Sequence, residues 1–125
     1  DIPYMATASP AHLPDLVRKV ENAMQVKEGL AYIHIYNPCL TGWGIPSEKS
    51  IEVCRLSVNS RFFPLYESRY RNIKITRKVT NPIPVAEYLK SIKKFSHLSE
   101  EKIQELQDLT DTRYRFLEAA EGILE

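Results

Sequence analysis

The chain has 125 residues, 26% of them charged, and a formal net charge of +1; this is single-domain length, enough for a modest core but short for a complete α/β enzyme. Two cysteines exclude a disulfide framework, and with three scattered histidines no zinc-ligand spacing exists. There is no apolar run of about 18 residues and no signal-peptide pattern, so a reduced, cytoplasmic protein without a membrane span is expected.

The charge is uneven along the chain. Residues 1–54 carry four basic and six acidic side chains, residues 55–98 ten and two, and residues 99–125 three and eight. A basic middle suits an acidic partner, and it equally suits a solvated helix and hairpin face. The chain opens Asp1-Ile2-Pro3 rather than on methionine, which reads as a fragment or a processed polypeptide.

In chain order, Ile2–Ala8 offers only thin strand material. Ser9 reads as an N-cap with Pro10 at the first helical position. Leu13, Leu16, Val17, Val20, Ala23 and Met24 follow at helical spacing, which predicts a helix buried on that side and stopped at Gly29. Leu30–Tyr36 is apolar in both alternating sets, the pattern of a parallel strand covered on both faces. Helix, glycine and strand make half of a βαβ unit, whose first strand is expected ahead of the chain. His34 within the strand reads as a hydrogen-bonded packing residue.

After a loop over Asn37–Gly44, Ser47 is placed as the cap of a second helix with Ile51, Cys54 and Val58 on one face. Cys54 is then a structural core residue. Phe62–Glu67 and Ile73–Thr76 read as short strands joined around Arg69–Asn72, with Pro64 suggesting an edge position and a peripheral ribbon. Pro84 opens a short helix over Val85–Ser91. Ser99 caps the last helix, with Leu98 and Ile103 at the spacing of a hydrophobic staple. That helix carries Ile103, Leu106, Thr110, Tyr114 and Leu117 on a narrow stripe.

The chain contains no GxGxxG, GxxxxGK[ST], GxSxG or HExxH. The site candidate is Cys39, just past the carboxyl end of the apolar strand, where open α/β sheets place their chemistry. Its thiolate is readable as a nucleophile, a redox thiol or a metal ligand, and composition favours a plain loop cysteine. An iron–sulfur cluster takes four ligands, normally thiolates. With Cys54 in a helix core, this chain supplies one.

The run GLAYIHIYNPCLTGWG (Gly29–Gly44), the helix at Ser47–Asn59 and Phe63-Pro64-Leu65-Tyr66-Glu67 together resemble the C-terminal part of a known subunit. It is the thiamine-diphosphate-binding beta subunit of the pyruvate:ferredoxin oxidoreductases and their 2-oxoacid relatives. Pro84-Val85-Ala86-Glu87-Tyr88-Leu89 and Lys94-Phe95-Ser96-His97-Leu98 resemble that family's PVEEYL…RFxHL ending and favour the pyruvate branch.

The resemblance implies the C-terminal part of a thiamine-diphosphate-binding fold, α/β with a parallel sheet and helices on both faces. The expected organisation is 1–60 as the βα portion carrying the cluster cysteine, 61–80 as a peripheral β-hairpin and 81–125 as a helical tail. It implies that Cys39 is the fourth ligand of a 4Fe–4S cluster whose other ligands lie upstream. The same holds for most of the site for thiamine diphosphate and Mg2+, so no catalytic residue is expected in this chain.

The activity implied is CoA-linked oxidative decarboxylation of a 2-oxoacid, of EC 1.2.7 type, with electrons passing through the cluster to ferredoxin. Partners implied are alpha-, gamma- and delta-type subunits, ferredoxin, coenzyme A and the 2-oxoacid, with no nucleic acid and no membrane. Thr41 and Trp43 stand where they would shape the cluster's surroundings, or serve as loop packing. Oxalate- and branched-chain-specific relatives share the scaffold, and a non-catalytic module with a basic surface is the alternative of another class. The chain departs from the family at Arg61 and Arg69-Tyr70-Arg71-Asn72, where glycines are common. A second departure is Lys93-Lys94, which replaces a glycine-arginine pair.

Overall fold

The computed structural model describes residues 1–124. Four strands, β1 (Tyr4–Ala8), β2 (Ala31–Ile35), β3 (Tyr66–Arg69) and β4 (Asn72–Ile75), form one mixed sheet in the order β2-β1-β3-β4. β1 and β2 are parallel, whereas β3 runs antiparallel to both β1 and β4. The helices are α1 (Leu13–Met24), α2 (Leu40–Trp43), α3 (Ser50–Asn59), α4 (Val85–Lys90) and α5 (Glu100–Ala120), with short 3-10 turns at Ser47–Lys49 and Lys93–Phe95. The α/β class expected from the sequence is the class observed.

The thin Ile2–Ala8 stretch holds β1, an interior strand of the sheet. Tyr4, Ala6 and Ala8 are all buried, and small alanines let α1 lie close against them. β1, α1 and β2 therefore complete a right-sized βαβ unit within the chain, and the expectation of a missing first strand is corrected. Among the described residues β2 lies at the edge of the sheet, and its residues Tyr32, His34 and Ile35 are exposed. An apolar run signals a strand suited to cover on both faces, but the cover itself must come from other elements.

Within this chain, helix α1 leaves most of its apolar stripe uncovered, with only Leu16 and Ala23 half-buried. Leu13, Val17, Val20 and Met24 face outward, Met24 being 74% exposed, while Lys19 points inward and is fully buried. The Lys19 ammonium donates to the Thr7 carbonyl at 2.8 Å, to Asp15 Oδ2 at 2.6 Å and to Thr76 Oγ1 at 2.7 Å. Three acceptors satisfy all three of its protons, which is how a lysine tolerates burial. Ser9 is not the helix cap. It closes a turn in which the His12 N–H donates to its carbonyl at 3.0 Å, and α1 starts after His12. Gly29 does not stop α1, which ends at Met24. With φ of +92° it makes the turn into β2, where a β-carbon would come 2.9 Å from Pro3 Cγ.

The hairpin is part of the sheet rather than a peripheral ribbon, because β3 is paired on both sides. Pro64 stays outside the ladder and its carbonyl accepts from the Thr7 hydroxyl at 2.6 Å. Tyr70 and Arg71 form the two-residue turn with φ of +46° and +72°, and Arg61 has φ of +64°. All three residues thus hold left-handed backbone without glycine.

Ser47 begins a 3-10 turn and makes no capping bond, and α3 follows at Ser50. Val53, Cys54, Ser57 and Val58 are its buried residues, so Ile51 lies off the core face. Ser99 does cap α5, accepting from the Lys102 N–H at 3.2 Å. Thr110, Tyr114 and Leu117 are buried as the stripe predicts, with Tyr114 and Leu117 packing on Ile75 of β4.

Candidate functional site

The largest buried cluster lies under the loop that follows β2. It joins Tyr36, Ile45, Val53, Cys54, Val85, Tyr88, Leu89 and Ile92, with Leu40, Trp43, Phe62 and Phe63 against its rim. Tyr36 extends β2 by one bond, its N–H donating to the Ala8 carbonyl at 2.9 Å. Its ring is buried, and its hydroxyl lies 2.7 Å from that of Tyr88. Burial and this partner push the Tyr36 phenol well above its ordinary value, so both hydroxyls stay protonated.

Three residues beyond Tyr36, Cys39 stands at the N-terminus of the single-turn helix α2. Its side chain is exposed and unbonded to sulfur. Its carbonyl accepts from the Trp43 N–H at 2.9 Å, closing the turn. Gly42 lies directly behind the thiol, where a β-carbon would sit 2.9 Å from Cys39 Sγ. The loop therefore presents the sulfur outward on a backbone that leaves it room. Trp43 packs edge-on against Tyr36 with ring centroids 6.2 Å apart, so it serves the core, while Thr41 is exposed.

Cys54 is buried in α3 and 1% exposed. Desolvation raises the pKa of its thiol, keeping it protonated and unsuited to bind metal. Among the described residues no three His, Cys, Asp or Glu side chains are grouped to hold a metal. Cys39 is thus the accessible thiol among the described residues, and it stands alone.

Over 116 residues the chain is 43% identical to pyruvate synthase subunit PorB of Methanocaldococcus jannaschii, a match covering 93% of this chain and 39% of that protein. It is 41% identical over 110 residues to ketoisovalerate oxidoreductase subunit VorB of Pyrococcus furiosus, covering 85% of this chain and 34% of the relative. It is 38% identical over 117 residues to the beta subunit of NADH-dependent phenylglyoxylate dehydrogenase of Aromatoleum evansii, covering 92% and 26%. Over the matched stretch the chain is similar to these oxidoreductase and synthase subunits. No family model matches. The chain spans about two fifths of the length of the pyruvate synthase subunits it matches.

Two histidines need a separate account. His34 is exposed and makes an edge contact with Phe63, ring centroids 5.2 Å apart, which corrects its reading as a hydrogen-bonded core residue. An edge strand leaves that face open. His12, which periodicity does not single out, is the more constrained. Its Nδ1 lies 2.8 Å from the Ala11 carbonyl and must donate to it. Its Nε2 is buried with no partner among the described residues. Burial first, then the charge of Arg77, lowers its pKa and keeps it neutral. The signal for it in the sequence was only its place after the strand, in the turn that opens α1.

No helix among the described residues is long and apolar enough to cross a membrane.

Proposed function

We propose that this chain is part of a 2-oxoacid:ferredoxin oxidoreductase, most simply one acting on pyruvate, and that Cys39 is one ligand of a 4Fe–4S cluster. The observation that carries the reading is about 40% identity, over 85% to 93% of the chain, to subunits of a pyruvate synthase, a ketoisovalerate oxidoreductase and a phenylglyoxylate dehydrogenase. The geometry of Cys39 supports it: an exposed thiol on a short turn, with Gly42 leaving space behind the sulfur.

The residues present fit a quarter share of such a site. One accessible thiolate matches one corner of a cluster that needs four ligands, and the buried Cys54 does not compete. The remaining three ligands, with the thiamine diphosphate and Mg2+ site, belong to parts of the enzyme beyond this chain. When bound, thiamine diphosphate would supply the carbanion chemistry for decarboxylating a 2-oxoacid, and a cluster would supply one-electron transfer toward ferredoxin, with coenzyme A as acyl acceptor. What this chain contributes is placement: β2 and the buried cluster around Tyr36 hold the thiol at the carboxyl end of the sheet and keep water from its inner side. Alpha-, gamma- and delta-type subunits complete the assembly.

Cys39→Ser in the assembled enzyme tests the site. The expected result is loss of cluster iron and of its low-temperature EPR signal, together with loss of 2-oxoacid-dependent ferredoxin reduction. Full iron content and a wild-type reduction rate would overturn the assignment. Comparing kcat/KM for pyruvate, 2-oxoisovalerate and phenylglyoxylate tests the substrate, with pyruvate expected to be the highest.

A further inference from the structure

The cysteine loop is pinned from its underside by a segment some fifty residues later in the chain. On the near side of the loop, Tyr36 is tied to Tyr88 of α4 through their hydroxyls at 2.7 Å, and the two rings lie edge to face with centroids 6.4 Å apart. On the far side, Ile45 is 5% exposed within the same buried cluster as Tyr88, Leu89 and Ile92. Its N–H donates to the Leu40 carbonyl at 2.9 Å, which closes the loop on itself. Between them Gly44, with φ of +67°, lies so near the 3-10 turn after α4 that a β-carbon would approach Lys93 Cβ to 2.8 Å. Only Asn37 and Pro38 separate the pinned Tyr36 from Cys39, and proline fixes one of the few backbone angles left between them.

From this geometry we infer that Tyr88 is a positioning residue for the Cys39 thiolate: through its hydrogen bond to Tyr36 it sets where the sulfur is held. The inference rests on the proposed cluster reading and deepens it. Two buried hydroxyls that satisfy one another are an asymmetric device. Removing one leaves the other unpaired in an apolar core, whereas removing both leaves ordinary aromatic packing. Tyr36 then relaxes to find a new partner, and the backbone leading to Cys39 moves with it. A cluster held by a displaced ligand has altered hydrogen bonds to sulfur and altered exposure, the two levers that set its potential.

The experiment compares Tyr88→Phe, Tyr36→Phe, the double variant and Cys39→Ser in the assembled enzyme. The readouts are iron content, the EPR g-values and midpoint potential of the cluster, its rate of loss to a chelator, and the melting temperature. Tyr88→Phe is expected to keep the cluster but shift its g-values and potential, and to lose it to chelator about tenfold faster. The double variant is expected to return these values toward wild type. Gly44→Ala, which presses on the same contact from the other side, is expected to perturb the same signature, and it serves if Tyr88→Phe does not fold. Unchanged g-values and potential in Tyr88→Phe, with only the melting temperature lowered, would overturn the inference and leave the tyrosine pair as core packing. An intact cluster in Cys39→Ser would instead overturn the reading beneath it, and the two failures are distinguishable by which variant is silent.

Discussion

The sulfur of Cys39 and the α-carbon of Gly42 are neighbours across one turn of α2, so close that a β-carbon on residue 42 would lie 2.9 Å from Cys39 Sγ. Glycine inside a helix ordinarily weakens it by about 1 kcal/mol relative to alanine. Here that cost coincides with space for the thiol. Gly42→Ala is therefore expected to favour the helical turn and yet to disturb the site. On the proposed cluster reading, in the assembled enzyme it should lower cluster iron and speed chelator-driven cluster loss without lowering the melting temperature. A variant with wild-type iron content would show that the sulfur side-steps the methyl group freely.

Lys19 is the inward-facing cation of α1, with all three protons assigned to Thr7, Asp15 and Thr76. Burial lowers its pKa and the Asp15 carboxylate opposes that shift. Lys19→Met keeps the volume but leaves Asp15, which is only 12% exposed at its side chain, with Arg18 alone. The expected loss is about 3 kcal/mol, the scale for removing one partner of a buried pair, read as a lowered denaturant midpoint. Arg18→Met, on the exposed side of the same carboxylate, should cost at most a few tenths of a kcal/mol, about the value of a surface pair.

The hairpin turn offers a change in the other direction. Arg71 has φ of +72°, which costs an L-residue about 1–2 kcal/mol. Its ion pair with Asp1 joins two exposed side chains, and such pairs contribute little. Arg71→Gly removes the backbone strain and adds about 1 kcal/mol of chain entropy to the unfolded state. The net gain is expected to be about 0.5 kcal/mol, seen as a melting temperature raised by about 2 °C. A lowered melting temperature would show that the Asp1 pair outweighs the strain.

His12 sets a pH dependence. Burial, then Arg77, with Arg55 adding and Asp15 opposing, holds its folded pKa below the ordinary 6.5. Between the folded value and 6.5 the unfolded chain binds more protons, so stability rises with pH across that window. The contribution is complete above pH 6.5 and is lost as the pH falls through the folded pKa. Melting temperatures at pH 5 and pH 7.5 should therefore converge in His12→Asn relative to the parent. An unchanged difference would place the acid sensitivity elsewhere.

What the amino-acid sequence determined by itself is local and chemical. The α/β class, the capped last helix with its buried stripe, the burial of Cys54, and the position of Cys39 just past the carboxyl end of a strand follow from periodicity, capping and turn chemistry. Those depend on residues a few positions apart. Tertiary structure decided which neighbour each element found. Periodicity names an apolar face but not its partner: in α1, three acceptors from β1, α1 and the end of β4 draw Lys19 inward, and Leu13, Val17 and Met24 stay uncovered within this chain. The same blindness made the hairpin seem peripheral and the thin β1 seem absent. The position of Cys39 was legible because it depends on its own neighbours in the sequence. Its support was not, because Tyr36 meets Tyr88 only when some fifty intervening residues have folded around one buried cluster.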